Sequence, residues 1–298
     1  MALPILSNPF TNFQSATTRW NPNNALALAC ASDLAYEDDA TVRQTAAAWG
    51  FQVPATITAP RDIQAIVLGN AQSIIVAFRG TISEKNGVIE LDNWMVDADA
   101  HQISVEDTFG ISGNVHAGFA TAFSGLWPGI QDAVKSFQTG TQSLWITGHS
   151  LGGALAMMGA AAFTFEKRLP FNGLYTYGQP RVGNPNFCGN CDTHFGDQYF
   201  RFVNNQDIVT RVPPRLFLHF PWPETYSHAG RLLYFDPQGN IHNDEHWWNN
   251  FLTTVDVGFE NFVGLLTAAP IADHNLETGY IAHIQQYLNA GSQPPMQW

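Results

Sequence analysis

The chain has 298 residues, 45% of them hydrophobic and only 13% charged. Soluble domains typically carry about 25% charged residues and disorder needs high charge with low hydrophobicity, so this is a folded protein with a full-sized core. Lys and Arg total 13 against 25 Asp and Glu, a net charge of −12; such a surface repels phosphate backbones, which excludes nucleic acid and favours an uncharged or weakly polar substrate.

Asn24 to Trp49 reads as one helix, with Leu26, Cys30 and Leu34 four apart. Ala65–Leu68 and Ser73–Phe78 are short apolar strands separated by the turn signal Gly69-Asn70. Gly118 to Phe137 is predicted helical with a break at Pro128. Ser143–Thr147 is a buried-type strand, Gly148–Gly153 interrupts it, and an Ala- and Met-rich helix runs to about Leu169, where Pro170 stops it. Leu174–Tyr177 and Tyr199–Val203 are further strands, with a helix between them near Asn186–Phe195. Trp248, Phe251, Val255, Phe259, Phe262 and Leu266 form a helical stripe, read as core, and Leu276 to Leu288 is a last helical run. Alternating strands and helices imply a mostly parallel sheet covered on both faces, and without a Pro/Gly/Ser-rich linker residues 1–298 count as one domain.

No integral membrane span is expected, because the longest apolar run, Gly153 to Phe165, is too short. The N-terminus lacks a basic region, so no signal peptide is recognisable, although a mature secreted chain behind a new Met would read the same. Secreted and cytoplasmic locations both fit, and nothing here sets the oligomeric state.

Gly148-His149-Ser150-Leu151-Gly152 matches G-x-S-x-G, follows an apolar strand and opens a helix, the setting of a nucleophile elbow. Glycines flank the serine two residues either side because the turn is tight and neighbouring backbone must approach closely. A serine hydroxyl needs a base to take its proton, and the base needs an orienting acid. In the order Ser, acid, His, both partners lie downstream. Asp207 sits just past the strand ending at Val203, where open α/β sheets place their chemistry. Asp236 and Asp244 are weaker, with no clear strand before them. Six histidines follow Asp207: His219, His228, His242, His246, His274 and His283. Spacing favours His274, on a loop ahead of the last helical run, with His246 and His283 as alternatives; the adjacent Asp273 reads as a helix cap.

Several segments together resemble the class 3 lipases, the fungal-type triacylglycerol lipase family of the α/β hydrolases. They are Val76–Thr81, Val115–Phe119, Ile146–Leu155, Tyr177–Asn184, Phe202–Val209 with Pro213-Pro214, and Tyr226–Gly230 with Leu233-Tyr234. The family's C-terminal pattern, a His followed six residues later by a Tyr, selects His274 and Tyr280. The resemblance implies a central, mostly parallel sheet flanked by helices and a Ser150–His274–Asp207 triad. It implies an oxyanion hole from the backbone N–H of Leu151 and from Thr81, whose hydroxyl adds a hydrogen bond. Family members carry a lid after the oxyanion strand, here about residues 82–98, with Asn93-Trp94 matching their Asn-Trp pair. Ile82, Val88, Ile89, Leu91, Trp94 and Met95, interleaved with Glu84, Lys85, Glu90, Asp92 and Asp97, give that segment material for an apolar and a wet face.

Cys188-Gly-Asn-Cys191 with His194 has metal-like spacing but lacks a second Cys pair, so Cys30, Cys188 and Cys191 are read as free thiols and no metal is expected. His149 is read as packing. Asp244-Glu-His246 is read as a helix start beside Trp247 and Trp248. The expectation is a serine carboxylic ester hydrolase, a lipase acting on acylglycerols through an acyl-enzyme at a transient lipid–water interface, with no cofactor. A phospholipase A1 or feruloyl-type esterase on the same scaffold, or a silent lipid-binding relative, are the competing readings.

Overall fold

A computed structural model of the chain describes residues 8–80, 83–85, 88–90, 101–217, 223–243 and 271–291. The chain opens with helices α1 (Pro22–Leu34) and α2 (Asp39–Ala48), then strands β1 (Ala55–Ala59), β2 (Ile63–Gly69) and β3 (Ser73–Phe78). Short strands β4 (Ser83–Lys85) and β5 (Val88–Glu90) pair antiparallel, as do β6 (Gln102–Ser104) and β7 (Asn114–His116), which flank the one-turn helix α3 (Glu106–Phe109). Helix α4 (Ala117–Phe137) leads to β8 (Ser143–His149), α5 (Leu151–Ala161), β9 (Gly173–Tyr177), α6 (Pro185–Phe195) and β10 (Tyr199–Asn204). The small pair β11 (Leu216–Phe217) and β12 (Glu224–Thr225) precedes β13 (Arg231–Phe235) and β14 (Ile241–His242). A 3₁₀ turn (Ile271–His274), a π-helical stretch (Leu276–Ile281) and α7 (Ala282–Asn289) follow.

Eight strands form the main sheet in the order β1-β2-β3-β8-β9-β10-β13-β14. From β3 to β13 every neighbour pair is parallel, and the two edges are antiparallel. Alternate residues face opposite sides of the sheet and both sides are buried, which is why these strands read as continuous apolar runs. Ile74, Val76 and Phe78 of β3, with Leu144 and Ile146 of β8, join α4, α5 and α6 in one core. Ile75, Ala77 and Trp145 point the other way, into a core with α1, α2, the π stretch and Ile284 of α7.

The predicted helix Asn24–Trp49 is two helices. Asn21 caps α1 with Pro22 in the first turn, and Asp38 caps α2 by accepting from the Thr41 N–H, so the chain leaves and re-enters helix at Ala35–Asp38. Pro128 does not break α4. Pro128 and Ser124, the residue whose carbonyl the proline cannot serve, are both exposed, while Leu126, Trp127 and Ile130 bury on either side. The helix after Ser150 ends before Leu169: it passes into π winding over Ala162–Glu166, and Arg168 turns to φ 51°. The aromatic stripe Trp248 to Leu266, and Asp244, His246 and His219, lie outside the described residues.

Candidate active site

Strand β8 delivers Ser150 into a sharp turn at φ 58° and ψ −129°, directly before α5. A non-glycine residue in that region is strained, and here the strain is held by packing and by the Ser150 N–H donating to the Tyr177 carbonyl at 3.0 Å. The flanking glycines have a steric cause: a Cβ on Gly148 would overlap the Gly152 carbonyl, and one on Gly152 the Phe78 carbonyl. Leu151 opens α5, so its N–H has no carbonyl one turn back within the helix and lies at the positive end of the dipole. The other expected oxyanion residue, Thr81, and the lid candidates Ile82, Leu91, Trp94 and Met95 lie outside the described residues. Of the same group, Val88 and Ile89 belong to β5, so the backbone there is extended.

Asp207 follows β10, and His274 closes the 3₁₀ turn. Both are buried, and His274 Nδ1 stands 2.9 Å from Asp207 Oδ2. Among the described histidines the structure brings His274 to Asp207, and the others are engaged elsewhere. His228 Nε2 faces the Thr210 carbonyl at 2.8 Å, His242 Nε2 faces Asp236 at 2.9 Å, and the His283 ring lies against Phe235. Asp236 does follow a strand, β13, contrary to expectation, yet its carboxylate closes a turn by accepting from the Gln238 and Asn240 N–H groups. Against the opposing effect of burial, those bonds and His242 hold it down at about 2.

Two further residues complete the surroundings of Asp207. Tyr280 Oη donates to Asp207 Oδ2 at 2.5 Å and accepts from the Asn204 N–H at 3.1 Å. Burial, reinforced by the Asp207 charge, drives the Tyr280 phenol well above its ordinary range, so it remains a donor. The His-to-Tyr spacing marked this residue but not its task. Asp273 is not a helix cap: Asn275 caps the π stretch through the Thr278 N–H, and Asp273 Oδ2 instead accepts from Asn205 Nδ2 and the Gln206 N–H. It ties the loop of His274 to the loop of Asp207. Gly178 lies at φ 59° under this pair, where a Cβ would come within 2.8 Å of Asp207 Oδ2 and of the His274 ring.

The three thiols are free and buried. Burial pushes Cys188 up to about 12 and Cys191 well above its ordinary value, which keeps both as neutral thiols, and Cys188 Sγ faces the Ser227 carbonyl at 3.4 Å. His149, read as packing, is a buried hydrogen-bonding group between Tyr36 and His274. Among the described residues no helix is long and apolar enough to cross a membrane.

Known proteins match this arrangement. The family model for lipase (class 3) matches residues 75–217. A secreted mono- and diacylglycerol lipase of Fusarium solani is 36% identical over 164 residues, 54% of this chain and 46% of the relative. Secreted mono- and diacylglycerol lipase MDL3 of Malassezia globosa is 29% identical over 65% of this chain and 59% of the relative. The matches thus span about half the length of these curated relatives. A solved triacylglycerol lipase, described as having a serine protease triad as its catalytic centre, superposes with a TM-score of 0.61 at 25% identity, covering 87% of this chain and 96% of that one. The elbow, the sheet order and the matched segment agree: residues 75–217 are similar to the class 3 lipases, and the fold that carries them is of the α/β-hydrolase type.

Proposed function

We propose that the chain is a serine carboxylic ester hydrolase that cleaves acylglycerols through an acyl-enzyme. The observation that carries this reading is the strained Ser150 at the head of α5 together with the buried Asp207–His274 pair. Ser150 Oγ attacks the ester carbonyl while His274 Nε2 takes its proton, and Asp207, fixed on Nδ1–H, orients the ring and balances the imidazolium charge. The oxyanion is held by the Leu151 N–H and by Thr81, each donor worth ~3 kcal/mol of transition-state stabilisation. His274 returns the proton to the leaving alcohol, and water, activated by the same ring, releases the acid.

Acylglycerol as substrate draws support from the relatives' names and from the acidic surface, which suits a neutral ester. Residues 82–98, mixing apolar and charged side chains, are the segment proposed to turn toward a lipid surface when substrate aggregates. The test is hydrolysis of mono-, di- and triacylglycerol and of phosphatidylcholine, below and above each solubility limit, with serine-directed phosphonate labelling. The reading predicts labelling at Ser150, glyceride hydrolysis that rises past the solubility limit, and loss of both with Ser150→Ala. Unlabelled, inactive wild-type protein would leave the lipid-binding alternative standing, and preference for phosphatidylcholine would favour phospholipase A1.

A further inference from the structure

A pair of polar side chains, the buried His149 and the half-buried Tyr36, lies beside this chemistry without exchanging a proton in it. His149, at the end of β8, is 3% exposed. Its Nε2 lies 2.8 Å from the His274 carbonyl oxygen and its Nδ1 2.9 Å from Tyr36 Oη. A carbonyl only accepts, so Nε2 carries the hydrogen and donates. A neutral imidazole has one N–H, so Nδ1 accepts and the Tyr36 hydroxyl donates to it. Burial, and after it the adjacent His274, hold His149 well below the ordinary histidine range, the neutral state this pattern requires. The Tyr36 oxygen is in turn approached by the Gly80 backbone N–H as a donor. Gly80 ends the run after β3 and presses on the elbow: a Cβ there would overlap Tyr36 Oη and lie 3.1 Å from Ser150 Cβ.

Every bond in this row therefore has a set direction, and its two ends are backbone. One end is Gly80, the neighbour of Thr81. The other is the peptide of the proposed base, whose preceding carbonyl, on Asp273, accepts from Asn204 Nδ2 at 2.9 Å. The His149 ring also lies over the His274 ring, centroids 4.5 Å apart. Tyr36 stands in the break between α1 and α2, outside residues 75–217.

We propose that Tyr36 and His149 are positioning residues for acyl transfer, forming a one-way hydrogen-bond chain that holds the Gly80 backbone and the His274 backbone in register behind Ser150. This rests on the hydrolase reading of Ser150 and His274. Deleting the Tyr36 hydroxyl breaks the chain in its middle, leaving the Gly80 N–H and His149 Nδ1 without their partner together. Geometry at the reacting atoms then loosens while the acyl-binding surface stays, so the effect falls on kcat. A displacement of about 1 Å from a remote change can cost ~100-fold in rate.

The experiment compares wild type, Tyr36→Phe, His149→Phe and the double variant, which keep a ring at each site. Hydrolysis is followed on dissolved p-nitrophenyl butyrate, with melting temperature and phosphonate labelling of Ser150 as controls. Tyr36→Phe should lower kcat about tenfold with KM within about twofold, and the double variant should lose little more than His149→Phe alone, because residues acting as a unit are non-additive. Labelling should remain stoichiometric but slow. A kcat equal to wild type, a loss carried by KM, or losses that multiply in the double variant each overturn the proposal. If Tyr36→Phe does not fold, His149→Phe is judged by the same kcat-against-KM criterion. Wild-type protein that neither hydrolyses nor labels would instead sink the hydrolase reading itself.

Discussion

Asp207 spends both carboxylate oxygens: Oδ1 accepts from the Val209 N–H at 2.9 Å, and Oδ2 accepts from His274 and Tyr280. Tyr280→Phe removes the shortest of these donors, a charge-assisted bond worth about 1.5–3 kcal/mol, and leaves the Asn204 N–H without its acceptor. We expect a roughly tenfold loss in kcat/KM and a lower melting temperature, smaller than the ~10³-fold or greater loss from Asp207→Asn, which disturbs the imidazole directly. Because burial keeps the phenol protonated, the Tyr280→Phe defect should be constant from about pH 6 to 10. A pH–rate profile measured on both proteins checks this, and a defect that vanished at high pH would show that the tyrosine titrates. The thiols make a second prediction at this scale. A disulfide-exchange reagent should find none of the 3 cysteines in the folded protein and all of them after denaturation, since buried neutral thiols are unreactive.

At the level of elements, α1 ends beside the π stretch that follows His274, and carboxylates meet there. Burial, then Glu277 and Glu37, push Asp33 up from 3.8 to about 7. The folded protein thus holds a proton that the unfolded chain releases above pH 3.8, so the stability this carboxyl contributes is present at low pH and is withdrawn as pH rises through about 7. Asp33→Asn should therefore change little near pH 4 and stabilise by about 1–2 kcal/mol near pH 8, a gain of a few degrees in melting temperature. A difference flat across that range would refute the linkage. The strands were legible because both faces of the parallel sheet are buried, which turns β3 and β8 into apolar runs; Ser150 and Asp207 were legible because each follows such a run. The α1–α2 break was not, because Asp38 works as a cap through local geometry that competes with an unbroken helical pattern. Tyr36, His149 and Asp273 were not either, because no local spacing marks partners so distant. Tyr36 meets the His149 ring 113 positions on, His149 the His274 carbonyl 125 positions on, and Asp273 accepts from Asn205 and Gln206 68 and 67 positions back.

For the whole molecule the dominant field is its charge of −12, with a sequence isoelectric point near 5.1. A neutral glyceride surface is indifferent to that field, whereas a surface carrying anionic amphiphile or accumulated fatty acid repels it. Repulsion acts over the Debye length, about 30 Å at 0.01 M salt and about 8 Å at 0.15 M. Hydrolysis of a glyceride emulsion doped with an anionic lipid should accordingly rise several-fold, roughly fivefold, between those salt concentrations at neutral pH, because screening restores approach to the interface. The undoped emulsion and a dissolved ester should show little change, which separates adsorption from chemistry. Below the isoelectric point the net charge reverses, and the same doped emulsion should then lose activity as salt is added, provided rates are normalised to the dissolved ester at each pH. Rates on doped and undoped emulsions that respond equally to salt would mean that a local patch, rather than the whole molecule's charge, governs how the protein meets lipid.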